Sequence, residues 1–148
     1  MPGSSLWLEL LRVPDMTKKS KNKKAKAYKK VDERDGGCCR HPGCWRSPEE
    51  HHHIEFVSVA KDRENCVENI VSLCSEHHHG DEGPHKSAYW REYWKAWQKQ
   101  MYPYYMTKDE QNEMERLRLQ RFVNQDVICR LDGLEEKFKI WQEKRIAI

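Results

Sequence analysis

The stretch "NIVSLCSEHHHGDEG", Asn69 to Gly83, runs from apolar, β-branched residues into a cysteine and three consecutive histidines before its last glycine. "NIVSLC" has the composition of a short strand, and from Cys74 the chain can enter a helix that Gly80 and Gly83 keep short. Upstream, "EEHHHIEFVSVA" reads as a first strand and the polar "KDRENCVEN" as the loop that joins the two. Strand, loop, strand, short helix is the expected order, and a histidine triplet sits in its first and last members.

Residue types and spacings in this segment point to metal. "CSEH" sets Cys74 and His77 two residues apart, the spacing of a zinc knuckle, and "CRHPGC" sets Cys39 and Cys44 four apart with Pro42 and Gly43 to turn the chain. Two such pairs can close a tetrahedral Cys3His zinc site. Cys38 and His41 are rival ligands in the first pair. A C2H2 finger does not fit, because Cys44 lies too close to His51 for the usual ~12-residue span. The chain needs such a staple: of 148 residues, 34% are charged and 37% hydrophobic, so its core is small. Zinc binding contributes on the order of 10 kcal/mol to folding in small domains of this kind. If His77 faces the zinc, His78 points about 100° away round a helix and can serve a different site. His52 and His53, on a strand, face opposite ways unless a bend aims both at one pocket.

The flanks are simpler. Net charge is +3, but residues 17–30, "TKKSKNKKAKAYKK", hold eight lysines and no acid, a run expected to be disordered in isolation and drawn to polyanions, nucleic acid above all. No window approaches the ~20 apolar residues of a membrane span. The apolar patch Leu6–Val13 lacks a basic region before it and is not read as a secretory signal; Met16 is an alternative start. Without export, six cysteines are ligands or free thiols rather than disulfides. Pro84 suits the first turn of a helix in which Trp90, Trp94 and Trp97 form one aromatic face, expected to be core rather than a base-stacking surface. Thr107 and Glu110 make a capping box, and a last helix is expected from there towards Arg145. Its stripe of Val127, Leu131, Leu134, Phe138 and Trp141 either packs on its own domain or dimerises.

Taken in order, "EHHHI", Asn69 sixteen residues after His53, and "NIVSLCSEHH" resemble the HNH endonucleases, the ββα-metal nucleases, in the zinc-stapled form common in phages. The likeness covers roughly residues 38–85 and departs at His77, where a cysteine is usual. It implies an α+β fold: a small ββα-metal core over residues 36–86 with a structural zinc on Cys39, Cys44, Cys74 and His77. A disordered basic tail would occupy 1–35 and a helical extension 87–148. It implies hydrolysis of DNA phosphodiester bonds, with His53 as general base and Asn69 constraining the loop that orients it. His52 and His78 would hold one catalytic divalent cation, magnesium or manganese, with nickel or zinc as alternatives. Lys61, Arg63, Arg46 and the lysine run are candidate phosphate contacts on double-stranded DNA. Terminase or other phage packaging proteins are the implied partners and the bacterial host cytoplasm the implied compartment. The competing reading is a catalytically inactive, zinc-stapled DNA-binding or packaging accessory protein.

Overall fold

The computed structural model describes residues 16–120 and 124–148; the apolar patch Leu6–Val13 and the first residues of the chain lie outside them. A two-stranded antiparallel sheet stands at the centre. Strand β1, Glu50–His53, pairs with β2, Ile70–Leu73, in the register Glu50↔Leu73, His51↔Ser72, His52↔Val71 and His53↔Ile70. β1 is shorter than "EEHHHIEFVSVA" suggested, since Phe56–Ala60 turns back on itself through the Val59 and Ala60 amides, both donating to the Phe56 carbonyl. The short helix α2, Ser75–His79, follows β2, with Cys74 in extended conformation before it and Gly80 after it. Strand, loop, strand and short helix are thus all present, and the fold is a mixture of helix and a small sheet.

All four residues of β2 are buried because each face of the sheet is covered. On one face Val71 and Leu73 pack with Cys39, Ile54, Cys74 and Trp94. Trp94 comes from α3, Ala88–Met101, so the aromatic face of that helix is core. The helix starts later than Pro84 suggested: Ser87 accepts the Trp90 amide at 3.3 Å and is the better cap, which leaves residues 80–87 as turns.

On the other face Ile70 packs with Ala27, Val31 and Val67. Here the lysine-rich run departs from expectation: Met16–Asp35 is one helix, α1, rather than a disordered tail. Its last two turns explain why. Ala27, Val31 and Asp35, spaced by four, are all buried. The Asp35 carboxylate accepts the Ser72 amide at 3.0 Å, and the Arg34 guanidinium donates to the Val67 and Ile70 carbonyls at 2.9 and 2.6 Å.

The C-terminal half has its own core, in which Tyr105, Met106, Met114, Leu117, Leu131 and Trp141 meet. Two helices build it where one was expected. Helix α4, Lys108–Leu119, begins with the Thr107–Glu110 capping box, and a second start at Asn124, whose side chain accepts the Val127 amide at 3.0 Å, opens α5, Gln125–Lys144. The stripe with Leu131 and Trp141 therefore packs on its own domain. Glu55, just after β1, accepts the Lys108 amide at 2.8 Å and the Tyr105 hydroxyl, which ties this half to the strand loop. No helix among the described residues is long and apolar enough to cross a membrane.

Candidate metal centres

Among the described residues, side chains with metal-ligand chemistry gather in two main groups, to which the short helix α2 contributes His77 and His78 respectively. Cys39, Cys44, Cys74 and His77 bring their ligand atoms within 4.8 Å of one another and together could bind a metal. The loop before β1 delivers the first two. Gly43 takes φ of 75°, open to a residue without a side chain, and lets the Cys44 amide return to the His41 carbonyl at 3.0 Å. The Arg40 amide donates to the Ser72 carbonyl at 2.9 Å, anchoring the loop on β2. On the other side His77 Nδ1 stands 3.3 Å from Cys74 Sγ and 3.7 Å from Cys39 Sγ. Burial pushes the Cys39 thiol up to about 12, a value that binding of a cation to the thiolate would reverse. Three thiols and an imidazole fit zinc by donor type. Cys38 is outside this group, and the His41 ring stacks on His77 at 3.7 Å instead of facing the sulfurs. His77 Nε2 lies 3.5 Å from Glu82, a carboxylate placed to orient the ring.

The second group is histidine. His78 Nε2 is 3.1 Å from His52 Nδ1 and 2.9 Å from His85 Nε2. The other nitrogen of His78 faces the Glu50 carboxylate, which also accepts from His79 Nε2 at 2.8 Å. With Nδ1 donating to Glu50, His78 Nε2 presents a lone pair, and two more ring nitrogens crowd the same point. One proton can join two of them; a cation satisfies all three. Burial, then repulsion among the rings, holds His52 down to about 3, and burial holds His78 and His85 below the ordinary histidine value. All three are therefore neutral at neutral pH, the form in which an imidazole could bind a cation.

His53 lines the same cleft of about 320 Å³ as His52, His78 and His85, with Phe56 and Ser58 at its rim. Strand alternation holds: His51 and His53 turn to the α1 side, where Tyr28 stacks on His51 at 4.0 Å and tilts towards His53 at 6.5 Å, while His52 turns to α2. The cleft spans the strand end and so meets both faces. His53 Nε2 donates to the Glu64 carbonyl at 2.8 Å, which leaves Nδ1 as the acceptor nitrogen, and burial lowers its proton affinity. Asn69 is fully buried and does not line the cleft. Its amide clamps both ends of the strand loop, accepting the Glu55 amide at 2.8 Å and donating to the Glu55 and Arg63 carbonyls at 3.0 and 3.4 Å. It thus positions the peptide next to the carbonyl that holds His53.

The basic candidates divide. Lys61 and Arg46 are exposed, each beside a carboxylate, Glu64 at 2.6 Å and Glu76 respectively. Arg63 is no phosphate contact. It is 5% exposed, its guanidinium donating to Gln111 at 2.6 Å, Asp62 at 2.6 Å and the Met106 carbonyl at 3.2 Å, over the Trp141 ring. That fork is used to join the strand loop to the helical half. Two partners of His78 are not among the residues the sequence singles out: Glu50, outside the cleft lining, and His85, within it. Glu50 was legible in principle, being two before His52 on the same strand face. His85 was hidden behind the reading of Pro84 as a helix start.

No family model, curated protein or solved structure matches the chain.

Proposed function

We propose that this protein is a metal-dependent nuclease of the HNH, ββα-metal type that hydrolyses phosphodiester bonds of DNA. The observation that carries the reading is the convergence of His52, His78 and His85 beside His53 in one cleft at the end of a strand–loop–strand–helix unit. His52, His78 and His85 are the residues that would hold the cation. A divalent ion bound there supplies charge stabilisation for a phosphate oxygen and a departing alkoxide. His53, neutral and held through Nε2, takes a proton from water at Nδ1 as general base. Asn69 keeps the loop that aims it. Cys39, Cys44, Cys74 and His77, with zinc, hold the scaffold below and take no part in the chemistry. DNA as substrate, magnesium or manganese as the working ion, and a phage setting with terminase-type partners follow from the sequence resemblance alone.

The test is plasmid nicking in magnesium or manganese by wild type and His53→Ala. Wild type should nick, and the variant should lose at least about 100-fold in rate while keeping the same zinc content and DNA affinity. Equal cleavage by both removes His53 as the base. A wild type that retains DNA but never cleaves it, with any divalent ion, supports the accessory-protein reading instead.

A further inference from the structure

Helix α1 does more than cover the sheet. From Thr17 to Lys26 every residue is exposed, and the segment carries six lysines, Lys18, Lys19, Lys21, Lys23, Lys24 and Lys26, with no acid. None of the six pairs with a carboxylate among the described residues. At 1.5 Å per residue these ten exposed residues span about 15 Å of helix, and Lys23 among them borders a pocket with Lys61, Asp62 and Ile148. Lysines three and four apart repel, so the charge works against the helix that displays it. A polyanion would relieve that repulsion. The arm is also fixed relative to the cleft. Tyr28 stacks on His51, His51 Nε2 lies 2.7 Å from Asp32, and His51 lines the histidine cleft. Lys24 Nζ sits 5.4 Å from the centre of the Tyr28 ring, on the same side.

Helical geometry then sorts the lysines. Taking Tyr28 as the direction of the cleft, Lys24 and Lys21 fall within about 40° of it and Lys18 within about 80°. Lys19, Lys23 and Lys26 fall on the opposite side. We infer that α1 is a docking arm for duplex DNA, whose Lys18, Lys21 and Lys24 grip the phosphate backbone flanking the bond held in the histidine cleft. This rests on the nuclease reading for the position of the scissile bond; the binding itself follows from charge complementarity and the fixed seam at Tyr28, His51 and Asp32.

The test measures affinity for a 30-base-pair duplex against salt concentration, using the full chain in calcium or without added divalent ion so that no DNA is cut. Compared are wild type, the triple variant Lys18→Gln/Lys21→Gln/Lys24→Gln, the triple Lys19→Gln/Lys23→Gln/Lys26→Gln, and His53→Ala. Each lysine–phosphate contact contributes about 0.9 to the slope of log affinity on log salt. The cleft-side triple should therefore lose about 2 to 3 from the slope, the opposite triple less than 1, and His53→Ala nothing. Glutamine keeps helix propensity, and equal melting temperatures exclude misfolding. Equal losses in both triples, an unchanged slope, or tighter binding to an RNA duplex of the same sequence would overturn the inference. A shifted slope in a protein that never nicks would leave the arm standing and remove the nuclease.

Discussion

His77 shows how far a single side chain can be read. Its Nδ1 faces the sulfurs and its Nε2 faces Glu82, so one ring links the proposed zinc to an outer carboxylate. Such partners fix the ring and raise its basicity, and their loss weakens metal affinity by roughly 10- to 100-fold. Glu82→Gln should therefore weaken zinc binding within that range, measured by competition with a chromophoric chelator, while leaving the fold of the zinc-loaded protein unchanged; undiminished affinity would show that Glu82 does not hold the ring. The cleft histidines give a pH expectation of definite sign. His52 is held down to about 3, against an ordinary 6.5, so below pH 6.5 the unfolded chain takes up a proton that the native state refuses. Without added magnesium or manganese, stability should fall progressively as pH drops from 6.5 towards 3, and added manganese should oppose the fall. A flat melting temperature over that window would mean His52 is not buried as a neutral ring. The grouping of Cys39, Cys44, Cys74 and His77 was legible in the spacing of two ligand pairs, whereas His52, His53 and His78 were grouped only by the family resemblance, since strand alternation by itself turns His52 and His53 apart. Arg63 was not, because nothing in "KDREN" distinguishes an arginine that solvates a surface from one that bridges two halves of a core.

Among the elements, the turn after α2 matters most to the cleft. Gly83 packs so close to the end of that helix that a Cβ there would stand 2.4 Å from the His78 carbonyl oxygen and 2.6 Å from its carbon. Only glycine lets residues 80–85 fold back, and the fold-back brings His85 to His78. Gly83→Ala should push His85 off the cleft and weaken manganese binding by on the order of tenfold or more, with zinc content unaltered. Electron paramagnetic resonance titration reads this directly, and wild-type affinity in the variant would show that His85 is not needed. Helix α1 carries the opposite lesson. Its lysines argue for disorder, and only the four-residue spacing of Ala27, Val31 and Asp35 betrays a buried stripe, one that depends on β2 arriving from 35 residues further on. Local charge is visible in sequence; the surface that overrules it is not.

At the scale of the molecule, three small cores share the work. The sheet side packs on Trp94 and the sulfurs, the α1 side on Ile70, and the C-terminal helices on Trp141 and Met114. The first of these is small and includes the sulfurs of Cys39 and Cys74, and a domain's stability of about 5–15 kcal/mol is of the same order as the ~10 kcal/mol of a structural zinc site. A strong chelator should therefore release one zinc per chain at neutral pH and abolish the cooperative thermal transition of residues 36–86. Helicity from α4 and α5, which pack on each other, should partly survive. An undisturbed transition after complete zinc removal would show that carbon packing suffices.

The most direct measurement is a crystal structure of the protein soaked in manganese, with anomalous scattering to locate the ion. The expected result is one manganese in the cleft, ligated by His52 Nδ1, His78 Nε2 and His85 Nε2 and within reach of a water held by His53. Manganese bound elsewhere, or those three rings turned away from one another with no ion between them, would contradict the proposed hydrolytic centre.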